Sequence, residues 1–294
     1  MKRVLLVGGT GFIGRRAAAV LAAQGAIPRI LDLPASLARM KAGPTVELVE
    51  GDVTDIGSLS DAAEDCDGII HLAGIMTLDC ARNPAKAVNL NVQGSLNVFE
   101  VAREKSIGVA YLSTAGVFGP SQAAYPEPLT LYGVTKLAVE GIARVYAADH
   151  GVPSLGLRPY VVYGPGESSG IAAGPSIAIA ASLRREPATI RFSGRVGFVH
   201  VDDVARLLAA AMTRPMRGAT VLTVSGDTRD MADFTAALAR RTGWNGITVE
   251  GPPLRIPSDL TADPVPAWLG EHRPTTIEMG IDASVADLTA SGAA

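Results

Sequence analysis

The first 165 residues alternate short aliphatic and β-branched runs with longer stretches whose apolar positions recur at helical spacing. The apolar runs predict strands over 3–7, 28–32, 46–50, 68–71, 109–113 and 154–158. The stretches between them predict helices over 12–24, 58–65, 85–104 and 132–150. Strands that are apolar throughout are buried on both faces, and strands joined through helices pair in parallel with right-handed crossovers. After Tyr163 the rhythm changes, and Gly164-Pro165-Gly166-Glu167-Ser168-Ser169-Gly170 is a loop by composition. A helix over about 175–185, an apolar segment over 189–192, a helix over 201–213 and a strand over 220–224 follow. Residues 251–274 are rich in proline, and a last helix is expected over about 283–289. The expected class is α/β, a doubly wound parallel sheet with a small, discontinuous C-terminal cap. The main domain is expected over 1–163 plus about 198–224, and the cap over about 164–197 plus 225–294.

Composition narrows the class without naming an activity. Of 294 residues, 48% are apolar and 19% charged, which excludes a disordered, highly charged chain. A net charge of −3 offers no basic footprint, so neither nucleic acid nor an anionic membrane is an expected partner. Cys66 and Cys80 match no zinc spacing and read as ordinary thiols, and no metal site is expected. Lys2 and Arg3 ahead of Val4-Leu5-Leu6-Val7 resemble a leader, but the apolar run stops at Gly8 and Arg15-Arg16 follow. No stretch approaches the roughly 18 uncharged apolar residues of a membrane span. The expectation is a soluble, cytoplasmic protein.

The first candidate chemistry is Gly8-Gly9-Thr10-Gly11-Phe12-Ile13-Gly14, which follows the first strand and opens the first helix. Gly8 and Gly11 permit a tight turn and let backbone N–H groups approach a pyrophosphate. Gly14 lets helix and sheet pack closely, and the helix N-terminus favours phosphate charge. Gly8, Gly11, Phe12, Ile13 and Gly14 are therefore candidate cofactor contacts, and the sheet is of Rossmann type. Asp32 ends the second strand, 18 positions after Gly14, where a carboxylate can accept both adenosine ribose hydroxyls and repel a 2′-phosphate. With no Arg or Lys near it before Arg39, NAD is favoured over NADP. Asp52 and the amide of Val53 could grip adenine, although Asp52 could equally be a turn residue. Leu72-Ala73-Gly74 after the fourth strand are small enough for a cofactor to lie against the backbone. His71 reads as a structural histidine.

Tyr132 and Lys136, four apart at the start of a helix, project from one face. A phenol with an ordinary pKa of about 10 is a poor base, and a nearby ammonium and an oxidised nicotinamide both lower that value. Ser113-Thr114 end the preceding strand at the carboxyl edge of the sheet, where open α/β sheets bind ligands. A hydroxyl there can hydrogen-bond the reacting oxygen.

With these elements the sequence resembles the extended short-chain dehydrogenase/reductase family, the NAD-dependent epimerase/dehydratase group. The residues that carry the resemblance are Gly8-x-x-Gly11-x-x-Gly14, Asp32, Asp52-Val53, His71-Leu72-Ala73, Asn91-Val92-x-Gly94-Ser95-x-Asn97 and Ser113-Thr114. They continue with Tyr132-x-x-x-Lys136, Leu157-Arg158-Pro159, Tyr163-Gly164-Pro165 and Phe198-Val199-His200-Val201-Asp202-Asp203-Val204-Ala205. The resemblance implies Thr114, Tyr132 and Lys136 as the catalytic trio, with Tyr132 as acid/base and Ser113 as substitute or helper for Thr114. It also implies Asn91 and Tyr160 as cofactor neighbours, and a homodimer formed by the helices that carry Asn91 and Tyr132.

The chain also departs from the family's pattern. Dehydratases of the family carry an acidic pair directly after the catalytic Thr, whereas Ala115-Gly116 stand here. Nucleotide-sugar enzymes of the family commonly carry Arg-Asp before Phe-Val-His-Val, whereas Val196-Gly197 stand here, with Arg195 one residue off. Together with a short cap, these absences favour a small substrate such as a free sugar, a sugar acid or a hydroxy acid. The leading expectation is thus an NAD-dependent dehydrogenase of such a substrate. The alternatives are a sugar or nucleotide-sugar epimerase, then a non-catalytic NAD-binding sensor. Ser168, Ser176, Arg191 and Arg195 are candidate substrate contacts, and each could equally be a solvated surface residue.

Overall fold

The structure, a computed structural model, describes residues 1–40, 43–120 and 122–292. Its centre is a sheet of seven parallel strands: β1 (Arg3–Val7), β2 (Ile27–Asp32), β3 (Glu47–Glu50), β4 (Gly68–His71), β5 (Gly108–Leu112), β6 (Ser154–Pro159) and β7 (Ala219–Val224). They run in the order β7-β6-β5-β4-β1-β2-β3, so the chain reverses its direction of winding at β1, between β4 and β2. Open α/β sheets bind ligands at such a point, in the crevice beyond the carboxyl ends of the strands.

Both faces of the sheet are covered, and β1 shows how. Val4 and Leu6 point into one apolar cluster with Ala17 and Leu21 of α1 (Phe12–Ala23), while Leu5 and Val7 point into another. That second cluster holds Leu59 of α2 (Ile56–Ala62), Phe99 of α3 (Gly94–Lys105) and Val139 of α4 (Leu131–His150). The alternation follows from the two-residue period of a strand. The run reads as uniformly apolar because neither face meets water.

The first cluster continues into the C-terminal part through α5 (Gly174–Leu183), α6 (Val201–Thr213), α7 (Met231–Thr242) and α8 (Ile277–Ala290). A three-stranded sheet of 161–163, 195–200 and 227–230 lies on the same side. Arg16 of α1 makes a bidentate contact with Asp202 of α6 at 2.7 and 2.9 Å, tying the two helices together. The C-terminal helices therefore share one core with α1 and the central sheet.

Of the stretches that differ from the sequence expectation, among them the last helix, which begins at 277 and not 283, two have a clear local cause. The helix expected over 85–104 is a succession of short turns over 77–82 and 84–87, one wide π-type turn over 88–93, and then α3. Asn83 causes the fresh start, since its side chain accepts the N–H of Lys86 at 3.0 Å ahead of a turn opened by Pro84. The stretch 225–250, unassigned in sequence, contains α7. Asp230 caps it by accepting from Ala232 N at 2.9 Å, and it buries Met231, Phe234, Ala237 and Leu238 at helical spacing.

Candidate active site

The crevice is shaped first by its glycines. Gly8 has φ +77°, and a Cβ there would lie 2.6 Å from the Ala73 nitrogen, so the ends of β1 and β4 can meet only without a side chain. A Cβ on Gly14 would lie 2.5 Å from the Gly9 carbonyl oxygen, so helix and turn also touch there. At Gly11 the added atom would meet only the Gly8 oxygen at 3.5 Å, which leaves room for a ligand. No side chain caps α1, whose first turn with Phe12, Ile13 and Gly14 carries no acidic residue. Its N–H groups and dipole are thus available to an anion.

Asp32 stands beside this turn. Its Oδ2 accepts from Thr10 N and Oγ1 at 3.1 and 2.6 Å, and its Oδ1 from Leu33 N at 2.9 Å. Two carboxylate oxygens offer about four acceptor positions, so capacity remains on Oδ1. Asp52 is a turn residue, its Oδ1 accepting from Thr54 N and Oγ1 at 2.9 and 2.8 Å. The N–H of Val53 has no partner among the described residues, which suits the expected contact with a base. Uncapped helix, glycine cradle and carboxylate together fit a dinucleotide.

The opposite wall comes from β4 and α4. Leu72 and Ala73 donate their N–H groups to the Val7 carbonyl at 2.8 and 2.9 Å, fixing the loop that leads to Gly74. Asn91, in the wide turn, accepts from Ile75 N at 2.8 Å and donates to Ile75 O at 3.0 Å and to Thr135 Oγ1 at 3.1 Å. Thr135 donates in turn to Tyr132 O at 2.8 Å. Asn91 therefore ties the Gly74–Ile75 backbone to the first turn of α4, acting on the crevice through its walls. A Cβ on Gly74 would lie 3.6 Å from Lys136 Nζ, which places the ammonium on the crevice floor.

Thr130 caps α4 by accepting from Gly133 N at 3.1 Å. A side chain on Gly133 would overlap the Gly116 carbonyl, so the turn after Thr114 lies directly against the turn that carries Tyr132. Thr114, half-buried, accepts from Gly116 N at 3.0 Å. Lys136 Nζ lies 5.8 Å from the centroid of the Tyr132 ring. Burial raises the Tyr132 phenol above its ordinary range and lowers the Lys136 ammonium to about 8. Lys136 is 6% exposed and has no hydrogen-bond partner among the described residues. His71 is also buried, with Nε2 2.9 Å from Ser95 Oγ, and burial followed by the nearby Lys136 charge lowers it to about 3.

Six further expected site residues are placed as follows. Ser113 is 2% exposed and donates its hydroxyl to Glu140 at 2.5 Å, within a buried pair that Arg158 completes at 2.7 and 2.5 Å. It is held as a strut between β5, β6 and α4, and its hydroxyl is engaged away from Thr114's role. Tyr160 donates to Ile256 O at 3.3 Å, fastening the proline-rich segment to the end of β6. Ser176 is 4% exposed and accepts from Gly164 N at 3.1 Å, so it anchors a loop. Arg191 is exposed and lies 3.8 Å from Glu250. Ser168 and Arg195 are exposed, Arg195 opening the strand over 195–200. A side chain on Gly197 would overlap the Ser225 carbonyl, and Val196 is fully buried, so neither position can carry an outward-reaching cation.

Two residues were not anticipated. Cys80 lies in the site wall, donating to Ile75 O at 3.2 Å and receiving from Asn91 Nδ2 at 3.6 Å. Glu140 could have been found, because it continues the Tyr132 and Lys136 face at i+8 and i+4.

The chain is similar to known proteins in sequence and in fold. The model of the NAD dependent epimerase/dehydratase family matches residues 4–224. The dTDP-L-rhamnose 4-epimerase of Burkholderia thailandensis is 28% identical, covering 82% of each chain. An uncharacterized epimerase/dehydratase of Staphylococcus saprophyticus is 29% identical over 54% of this chain, and the match spans about half of that relative's length, 52%. MoeE5, solved with UDP-glucuronic acid and NAD, superposes with a TM-score of 0.83 at 26% identity, over 98% of this chain and 99% of that one. The UDP-glucose 4-epimerase of Thermotoga maritima, with a TM-score of 0.86, 23% identity and 98% and 99% coverage, shows the same fold. The chain belongs to the NAD dependent epimerase/dehydratase family, an NAD-dependent enzyme of the extended short-chain type.

Proposed function

We propose that the protein is a dehydrogenase that oxidises a carbinol of a small hydroxylated substrate, a free sugar, sugar acid or hydroxy acid. The observation that carries this reading is the conjunction of Thr114, Tyr132 and Lys136 at the carboxyl edge, beside the glycine cradle. Tyr132 Oη takes the hydroxyl proton, and Thr114 Oγ1 holds the reacting oxygen. Lys136 anchors the cofactor's ribose and offsets the phenolate charge. NAD, when bound, supplies the hydride acceptor. Gly8, Gly11, Phe12, Ile13 and Gly14 hold its pyrophosphate, Asp32 its ribose, and the amide of Val53 its adenine.

The small substrate is supported by Val196 and Gly197, which are packed inward where a diphosphate-pairing arginine would otherwise stand. Epimerisation is the second reading, supported by the likeness to epimerases such as that of B. thailandensis. The division into 1–163 with about 198–224, and about 164–197 with 225–294, is proposed as the binding units for cofactor and substrate. A homodimer is proposed across α3 and α4. Val134 and Val145, about 49% and 47% exposed, lie three turns apart on the outer face of α4. Light scattering reads that mass directly. The activity itself is tested by Tyr132→Phe, which should abolish turnover while leaving NAD binding nearly intact; retained turnover removes Tyr132 from the mechanism.

A further inference from the structure

We propose that Arg15 and the loop 164–170 form a latch across the NAD crevice, and that its opening governs how fast the dinucleotide leaves. The latch rests on NAD occupying the crevice between the ends of β1 and β4. The loop is bonded to the α1 wall of that crevice and passes beside the β4 wall. On the α1 wall, Arg15 Nη2 donates to the Gly166 carbonyl at 3.2 Å, and a Cβ on Gly166 would lie 3.1 Å from that nitrogen and 3.9 Å from the Phe12 ring. On the β4 wall, a Cβ on Gly170 would lie 3.9 Å from the Met76 sulfur. Phe12 belongs to the first turn of α1 and Met76 follows Gly74–Ile75, so the loop runs from the side of one wall to the side of the other.

The conformation of the loop depends on its glycines and on few bonds to the rest of the protein. Gly164, Gly166 and Gly170 have φ of +147°, +99° and +95°, conformations other residues rarely adopt. Between them Glu167 Oε1 accepts from Ser168 N and Ser169 N at 3.1 and 3.2 Å, which keeps the tip compact. One end is fixed, because the buried Ser176 hydroxyl holds Gly164 N. The Arg15 contact on the outer side is exposed, so it is the part that yields. Such a latch lets the cofactor exchange between turnovers, which a dehydrogenase needs and an epimerase does not.

The test is the dissociation rate of NADH, followed by stopped-flow fluorescence on mixing the loaded protein with excess NAD. Arg15→Met keeps an unbranched side chain and removes the donor. Losing one exposed hydrogen bond should speed release by about two- to tenfold. Gly166→Ala, strained and pressed against Arg15, should do the same. In the double variant the latch is already open, so the rate should match that of the faster single variant. An unchanged rate in Arg15→Met overturns the latch, as do factors that multiply in the double variant, which would mean that Arg15 acts on the phosphates directly. A wild-type protein that binds no NADH overturns the cofactor placement and the latch with it.

Discussion

Lys136 carries a cost that the apo protein should reveal. Its ammonium is 6% exposed, has no hydrogen-bond partner among the described residues, and is lowered by burial from an ordinary 10.5 to about 8. At 1.36 kcal/mol per tenfold, that depression corresponds to ~3 kcal/mol of destabilisation at pH 7. Lys136→Met keeps length and volume while removing the charge, so without NAD the variant should be more stable by ~3 kcal/mol at pH 7. For a chain of this size that is roughly 5–10 °C in Tm. The sign with pH is fixed by the same numbers. Between pH 8 and 10.5 the unfolded chain holds a proton that folded Lys136 has lost, so wild-type stability rises with pH across that window. The variant lacks this gain, and its advantage should shrink to ~1 kcal/mol at pH 10. Urea unfolding followed by circular dichroism at pH 7 and pH 10 measures both differences. A variant no more stable than wild type at pH 7, or an advantage independent of pH, would refute the reasoning. The stabilised variant should also lose turnover, because the charge that strains the fold is the one that supports the phenolate.

Further outcomes follow from individual contacts. Gly8→Ala combines φ +77° with a Cβ 2.6 Å from Ala73 N, and should cost about 1–3 kcal/mol in thermal unfolding and weaken NAD binding; wild-type stability would contradict the tight approach of β1 and β4. Thermal shifts should be larger with NAD than with NADP, since a ligand at 100 times its Kd stabilises by about 2.7 kcal/mol; a larger NADP shift would overturn the role given to Asp32. Burial holds the Tyr132 phenol above its ordinary range, so the ultraviolet difference titration between wild type and Tyr132→Phe should show no phenolate below pH 10 without cofactor. Oxidised NAD should bring that titration down. A titration that stays put on adding NAD would mean the cofactor's charge does not reach Tyr132.

Much of the fold is legible because burial on both faces leaves an unambiguous pattern. β1 (Arg3–Val7) and β4 (Gly68–His71) have the expected bounds, and the other sheet strands differ from expectation by a residue or so at their ends. The broken helix before α3 is less legible, because Ala85 to Glu104 contains no interior proline and the wide turn is held by tertiary bonds of Asn91. The glycine turn, Asp32 and the Tyr132/Lys136 spacing are local signals, and the structure gathers them along one crevice. Side-chain commitments were not legible. Ser113 and Thr114 are adjacent hydroxyls in sequence, and only the Glu140–Arg158 pair, 27 and 45 residues onward, shows that Ser113 is engaged elsewhere. Ser176 and Tyr160 likewise reveal their partners, Gly164 and Ile256, only in three dimensions.

The central claim is tested most directly by absorbance at 340 nm, with wild type and Tyr132→Phe incubated with NAD and a panel of free sugars, aldonates, uronates and hydroxy acids. Net NADH should accumulate with wild type on at least one compound, and Tyr132→Phe should form none. An isomerised product with stoichiometric NAD retained and no free NADH would contradict the dehydrogenase and establish the epimerase.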